Sequence, residues 1–326
     1  MNTYFIKLTP LSPFFFGGER TFGDRRNQNY FAKSNFFPQQ TTVLGMLRKE
    51  LLIQGKLFKE KWNDYTNYDK NKMEEWIGTG SFKLDGPNNF GKIKSLSPVF
   101  LTDGHEHFIP RPFDSDFSFL QNTGKAFLYK KINFIPLAEG YNPKDGLSHS
   151  LISKNGTKKE MAELFEDFVK VGNAKERQED DTDKFFKQKF YTLKEGFSFA
   201  LFAEVDFDLK SGTVYMGADN SSFRMEAEKT EMKFENIIPF EPAENKISLL
   251  SDALVDENIY SLCQFAITET IDFRTTDVRP GRFSKSKKYE MLKRGSVLFF
   301  ELGEKDKIKQ KLDNPNLQNI GYNIYR

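Results

Sequence analysis

Tyr4-Phe-Ile-Lys-Leu-Thr-Pro-Leu-Ser-Pro-Phe-Phe-Phe16 runs into Gly17-Gly-Glu-Arg-Thr-Phe-Gly23, and a basic, Asn-rich loop then leads to Phe37-Pro-Gln-Gln-Thr-Thr-Val-Leu-Gly-Met-Leu-Arg-Lys49. The apolar start predicts a strand over residues 3–11. Pro13, Gly17, Gly18, Gly23 and Pro38 break regular structure, so residues 12–40 read as a long loop. A helix is expected to start near Thr41 or Thr42, either of which can cap it. Leu44, Leu47 and Leu51 give that helix an apolar stripe, and Gly55 ends it. Strand, glycine loop and helix start together bring arginines, backbone N–H groups and a helix N-terminus to one region. A polyanion is the natural ligand of such a surface.

The bulk numbers allow this reading without announcing it. At 326 residues the chain can form one large domain or two ordinary ones. Aromatic residues make up 15%, and Phe alone occurs 35 times, so most rings are expected in the core and a minority are free to stack on bases. The 48 basic and 46 acidic side chains leave a net charge of only +2, so charge distribution has to carry any case for nucleic-acid binding. Cys263 is the single cysteine, which excludes an internal disulfide and a cysteine-rich metal site. Its apolar setting, residues 260–267, reads as a strand with the thiol buried as a small hydrophobe. Lys7 and two prolines interrupt the N-terminus too early for a signal peptide, and no run approaches the ~18 apolar residues of a membrane span. A cytoplasmic location without membrane partners is the expectation.

Further along, residues 60–125 read as an aromatic, turn-rich insertion with short strands. Thr157 and Glu160 suggest a capping box for a second helix, carrying Met161, Leu164, Phe165 and Phe168 and ending at Gly172. Residues 173–189 are highly charged and read as a linker. Strand signals then dominate: 196–208, a turn at Ser211-Gly212, 213–216, 246–255, 258–273 and 295–302, with a short helix over 305–312. The class is α+β. The expected division is 1–189, with a large insertion at about 56–150, and 190–326.

Four patches carry the candidate chemistry. The first is the loop 17–33, where Arg20, Arg25, Arg26 and Lys33 stand among Phe22, Tyr30 and Phe31, a mixture suited to phosphate pairing and base stacking. The second is Gln39, Gln40, Thr41, Gly45 and Arg48, where a helix start attracts phosphate, Gly45 permits close backbone approach, and Arg48 is favoured over Lys49. Gln39, Gln40 and Asn27 are candidates for reading base edges. The third is the run from Arg279 to Arg294, with Arg282, Lys285, Lys287 and Lys288. Pro280, Gly281 and two serines suggest a flexible basic loop contacting a phosphate backbone. The fourth and weakest is Arg111 in Ile109-Pro-Arg-Pro-Phe113, with the stretch 125–131. For each patch the plain alternative is a solvated surface or an ordinary capped helix.

The opening strand end with its Gly/Arg loop resembles the RAMP superfamily of CRISPR proteins, and so does the Phe-Pro-x-x-Thr-x-x-Gly-x-Leu-Arg turn into a helix. Met216-Gly-Ala-Asp-Asn220 and Lys293-Arg-Gly-Ser-Val-Leu-Phe-Phe300 match as well. Within the superfamily the chain is most similar to the third subunit of type III-B (Cmr) effector complexes, and the block Pro38 to Arg48 is the most specific match. The resemblance implies two ferredoxin-like (RRM-like) βαββαβ units with inserted hairpins and loops. It also implies a non-catalytic subunit that binds the 5′ tag of the CRISPR guide RNA. Its implied neighbours are the large polymerase-like subunit and the first subunit of the helical backbone, with no cofactor, no metal and no DNA bound directly. The glycine-rich loop expected before the last main strand has only Gly281 and Gly295 here.

Two other readings stay open. CRISPR repeat endonucleases of the same superfamily cut RNA by acid–base chemistry, and His149 could serve as such a base. The type III-A counterpart subunit shares the implied fold and role. His105 and His107 would share one strand face, but no further ligands join them at metal-site spacing. The acidic cluster Glu179, Asp180, Asp181 and Asp183 reads as a solvated stretch. No P-loop, polymerase Gly-Gly-Asp-Asp or nucleophile elbow is present.

Overall fold

The computed structural model describes residues 1–17, 31–61, 64–84, 86–119, 127–129, 132–134, 138–139, 144, 146–174, 184–217, 219–279 and 282–326. The architecture is α+β and mostly antiparallel. Its centre is a nine-stranded sheet. From one edge the order is Lys158–Lys159, Leu151–Ser153, His107–Pro110, Phe100–Thr102, Ser198–Val205, Asn2–Pro10, Ser221–Lys229 and Gly212–Met216, with Ile93–Leu96 pairing farther along Ser198–Val205. Side chains alternate across a strand, and both faces of the central strands are buried. Tyr4, Ile6, Leu8, Phe199, Leu201 and Ala203 face a large core that includes Leu44, Leu47 and Leu51 of the first helix. Phe5, Ala200 and Phe202 face a second core with Phe100, Phe234 and Leu250. Strands from both sides of residue 189 share this sheet.

A smaller C-terminal sheet, Lys246–Ser248, Val297–Phe299 and Phe265–Ile267, carries the helix Lys305–Leu312. Ile308 and Leu312 of that helix are buried with Ile247, Leu298 and Phe300. Beside it, Thr270–Phe273 pairs with Tyr289–Leu292, and Thr276–Arg279 forms a hairpin with Arg282–Lys285.

Several elements differ from the sequence expectations. The first helix spans Gln40–Gln54, and its N-cap is Gln39 without a side-chain cap, so neither Thr41 nor Thr42 caps it. Within 60–125 lies a helix, Asn67–Ile77, with a capping box between Thr66 and Asp69. The expected helix from 157 to 172 is one short turn, Met161–Leu164, whose capping box is Glu160 with Glu163. Phe165–Ala174 is instead a strand pairing along its whole length with Lys184–Leu193. Ten paired residues outweigh a weak helical stripe, and Phe168, Val169 and Val171 are exposed rather than buried on a helix face. Residues 184–189 are therefore strand rather than linker; the acidic cluster at 179–183 lies outside the described residues. Residues 258–273 form a 3-10 helix, Glu257–Leu262, and two short strands. Cys263 closes that helix, half-buried, and burial pushes its thiol up to about 11.

Candidate nucleic-acid interface

A groove lies where the segment before the first helix meets the C-terminal strands. Phe31–Lys33 pairs in parallel with residues 187–189, and Phe16 and Asn35 are bridged across the turn. Ser34 is buried and donates to Asn35 O (2.9 Å) while accepting from Phe16 N (2.8 Å). This turn delivers Phe36, Phe37, Pro38 and Gln39 to one wall of a groove of about 420 Å³. The opposite walls are the turn at Pro110–Phe113, the segment His149–Leu151, and Ile271, Lys293 and Arg294. A second hollow of about 390 Å³ continues from it through the shared residues Asn35 and Ile271 and reaches Asp272, Lys288 and Glu290.

Gly295 closes the two halves of the chain over this groove. Its φ is +91°, a conformation that favours glycine. A Cβ there would stand 2.8 Å from the Phe113 ring and 3.1 Å from Arg111 O. Phe113 N donates to Gly295 O (2.8 Å) and Gly295 N donates to Leu249 O (2.8 Å). The scarcity of glycine before the last main strand therefore leaves one glycine at the position where close approach requires it.

The groove gathers cations and rings. The Lys33 Nζ lies 5.8 Å from the Phe36 ring centre, and the Arg294 guanidinium lies 4.8 Å from that of Phe37. Arg294 also donates through Nε and Nη2 to the two Asp252 oxygens (both 3.2 Å) and through Nη1 to Val99 O (3.3 Å). Arg111 is paired with Asp116 at 2.5 Å and donates to Ser115 O. His149 Nε2 is 3.2 Å from Glu269 Oε2, and Lys293 Nζ is 3.2 Å from the same oxygen. The Phe113 ring meets the imidazole edge-on. Burial, then the Lys293 charge, hold the His149 pKa below its ordinary value, against the pull of Glu269.

Of the sequence candidates, Lys33, Gln39, Arg111 and Arg294 line the groove, and Lys288 lines its extension. Arg20, Arg25, Arg26 and Tyr30, like Asn27, lie outside the described residues. Arg279 and Arg282 oppose each other at the end of a hairpin, and Lys285 and Lys287 follow with exposed side chains, Lys287 lying 5.0 Å from the Tyr289 ring centre. The basic run is therefore a hairpin and a strand rather than a flexible loop. Lys288 is 2.6 Å from Asp272.

Two favoured residues turn out to build the fold. Gln40 is fully buried; it donates to Ser97 O (2.8 Å) and Ile320 O (2.7 Å) and accepts from Val99 N (3.2 Å). It reads no base. Arg48 donates to Gly80 O and Asn89 O, both at 3.0 Å, and lies against the Phe90 ring. Burial lowers its pKa to about 10. Arg48 is thus committed to neighbouring carbonyls, whereas Lys49 is exposed near the rings of Phe58 and Tyr215. Thr41 is half-buried, and Gly45 is exposed with open space where a Cβ would stand.

Several groove residues escaped sequence reasoning. Phe36 and Phe37 are two of 35 phenylalanines, most of which are expected in the core. Lys187, exposed beside Phe31, lies in a stretch that reads as linker. The pairing of His149 with Glu269 and Lys293 has no sequence signal, because 120 or more residues separate its halves. His105 and His107 do not share a face: His105 sits in a turn held by Asp103, and His107 bonds Thr102 Oγ1 on a strand.

A profile of the family described as CRISPR-associated protein (Cas_Cmr3) matches residues 6–325. The chain belongs to that family. It is a RAMP-like, Cmr3-type CRISPR protein, as the opening motif implies. No curated protein matches it. Among solved structures it is similar to a chain of a type III-B Cmr-beta complex bound to cognate target RNA, with a TM-score of 0.55 at 14% identity, covering 99% of this chain and 96% of that one. A second state of Cmr-beta, bound to cognate target RNA and AMPPnP, gives 0.52 at 14% identity, covering 99% and 95%. At such identity the likeness speaks for the fold alone.

Proposed function

We propose that this protein is a non-catalytic subunit of a type III-B CRISPR effector complex that holds the 5′ tag of the guide RNA. The observation that carries the reading is the groove of Lys33, Arg111, Lys293 and Arg294 among Phe31, Phe36, Phe37 and Phe113. Cations beside rings suit the phosphates and unstacked bases of single-stranded RNA. Most of these cations are held by a carboxylate or a ring, which fixes their direction before a ligand arrives and lowers the ordering cost of binding. Lys187, Lys285 and Lys287 are exposed and supply counter-charge along the backbone. The large polymerase-like subunit and the first backbone subunit are the proposed neighbours. Arg20, Arg25 and Arg26 are proposed as further RNA contacts.

Binding of a tag-bearing guide RNA to the full-length protein, followed by anisotropy across a salt series, tests the reading. Affinity is expected to fall steeply with salt, and Lys33→Glu with Lys287→Glu is expected to weaken it at least ~10-fold. Equal affinity and equal salt slope in that variant would contradict it. Metal-independent cutting of repeat RNA, lost in His149→Ala, would instead favour the endonuclease reading.

A further inference from the structure

We propose that His149 is a proton-linked phosphate ligand of the groove: Glu269 holds it in the free protein, and a phosphate of bound single-stranded RNA takes it, protonated, together with Lys293. The inference rests on the RNA-binding reading above and adds a residue and a regulation to it.

Three observations place the imidazole in this role. It lines the groove alongside Lys293, Arg294 and Arg111. Its Nε2 lies 3.2 Å from Glu269 and 3.5 Å from the Lys293 Nζ, so the three groups form one cluster joining residue 149 to the ends of the Thr270–Phe273 and Tyr289–Leu292 strands. Glu269 Oε2 faces the imidazole and the Lys293 ammonium at once, as a phosphate oxygen would. Of the other charges lining the groove, Arg111 is paired with Asp116 and Arg294 with Asp252, and the Lys33 ammonium lies near the Phe36 ring. Phe113 contributes only an aromatic edge. Exchanging Glu269 for a phosphate of a polyanion, whose neighbouring phosphates add to its own single charge, is therefore the rearrangement open to this cluster.

The sign follows from the two states. In the free protein burial and Lys293 depress the His149 pKa below its ordinary 6.5. A phosphate at hydrogen-bond distance takes over the pull of Glu269, and the neighbouring phosphates of the RNA add to it, so the charged form is favoured and the pKa rises. Binding thus takes up a proton from solvent, and RNA affinity rises as pH falls from the raised bound value to the depressed free one. Within that window one linked proton gives at most ~10-fold in affinity per pH unit.

The test uses the full-length protein, a fluorescein-labelled oligouridylate, and constant ionic strength from pH 5.5 to pH 8, roughly one unit or more either side of the ordinary imidazole value. Wild type is expected to bind more tightly at low pH, and His149→Gln is expected to lose that dependence. Glu269→Gln is expected to bind severalfold more tightly at the alkaline end, because the competing carboxylate charge is gone. NMR of the three histidines in wild type, with and without the oligonucleotide, reads the same event without a substitution: the His149 resonance should titrate at higher pH when RNA is bound. An unchanged pH slope in His149→Gln, or a His149 titration unmoved by RNA, overturns the inference while leaving the RNA-binding reading intact. Absence of binding at every pH overturns both.

Discussion

Two sets of basic and polar side chains, drawn from the same short motifs, do opposite work. Gln40 and Arg48 are turned inward and bond backbone carbonyls, and Arg111 and Arg294, although they line the groove, are held by carboxylates. Lys33, Lys49, Lys285 and Lys287 are exposed, with their ammonium groups near rings or solvent. The difference follows from chemistry. Guanidinium and amide groups offer several fixed donors and suit carbonyl-rich junctions, whereas a lysine carries a hydrated point charge on a flexible stem. A basic motif is therefore partly scaffold and partly ligand contact, and the side chains divide along that line.

The contrast can be broken from the scaffold side first. Arg294→Met removes the partner of Asp252 where both side chains are nearly buried, and an unfolding free-energy loss of about 3 kcal/mol is expected by urea denaturation. Gln40→Leu strands Val99 N–H and two carbonyls in a closed site and is expected to cost about 2–3 kcal/mol, with RNA affinity per folded molecule unchanged. Gly295→Ala forces a side chain into the Phe113 ring at positive φ, and a loss of about 2 kcal/mol is expected. The rim behaves in the reverse manner. Lys285→Ala with Lys287→Ala should leave stability within about 0.5 kcal/mol and lower the salt slope of RNA binding by ~1.4, as two lost phosphate contacts imply. A rim variant that unfolds the protein, or a Gln40 variant that keeps full stability, would erase the distinction.

Legibility in the sequence followed the same division. Local signals were readable: the opening strand came within a residue, Asn2–Pro10 against 3–11, and Gly55 and the helix Lys305–Leu312 fell where expected. Features made by distant pairing were not. Phe165 and Phe168 imitate a helical stripe, but strand partners at Leu193 and Phe190 claim them. Gln40 sits beside threonines that look like caps, yet its role depends on Ser97 and Ile320. Arg48 looks like a phosphate ligand until Gly80 and Asn89 come around it. The groove became visible only when residues 31–39, 110–113, 149–151 and 293–294 met in space.

The central claim, that this groove grips single-stranded RNA, is tested most directly by photocrosslinking. Guide RNA carrying 4-thiouridine in its 5′ tag, bound to the full-length protein and mapped by mass spectrometry, should yield adducts on peptides spanning residues 31–39 and 285–294. Adducts confined to surfaces away from both segments would contradict the account.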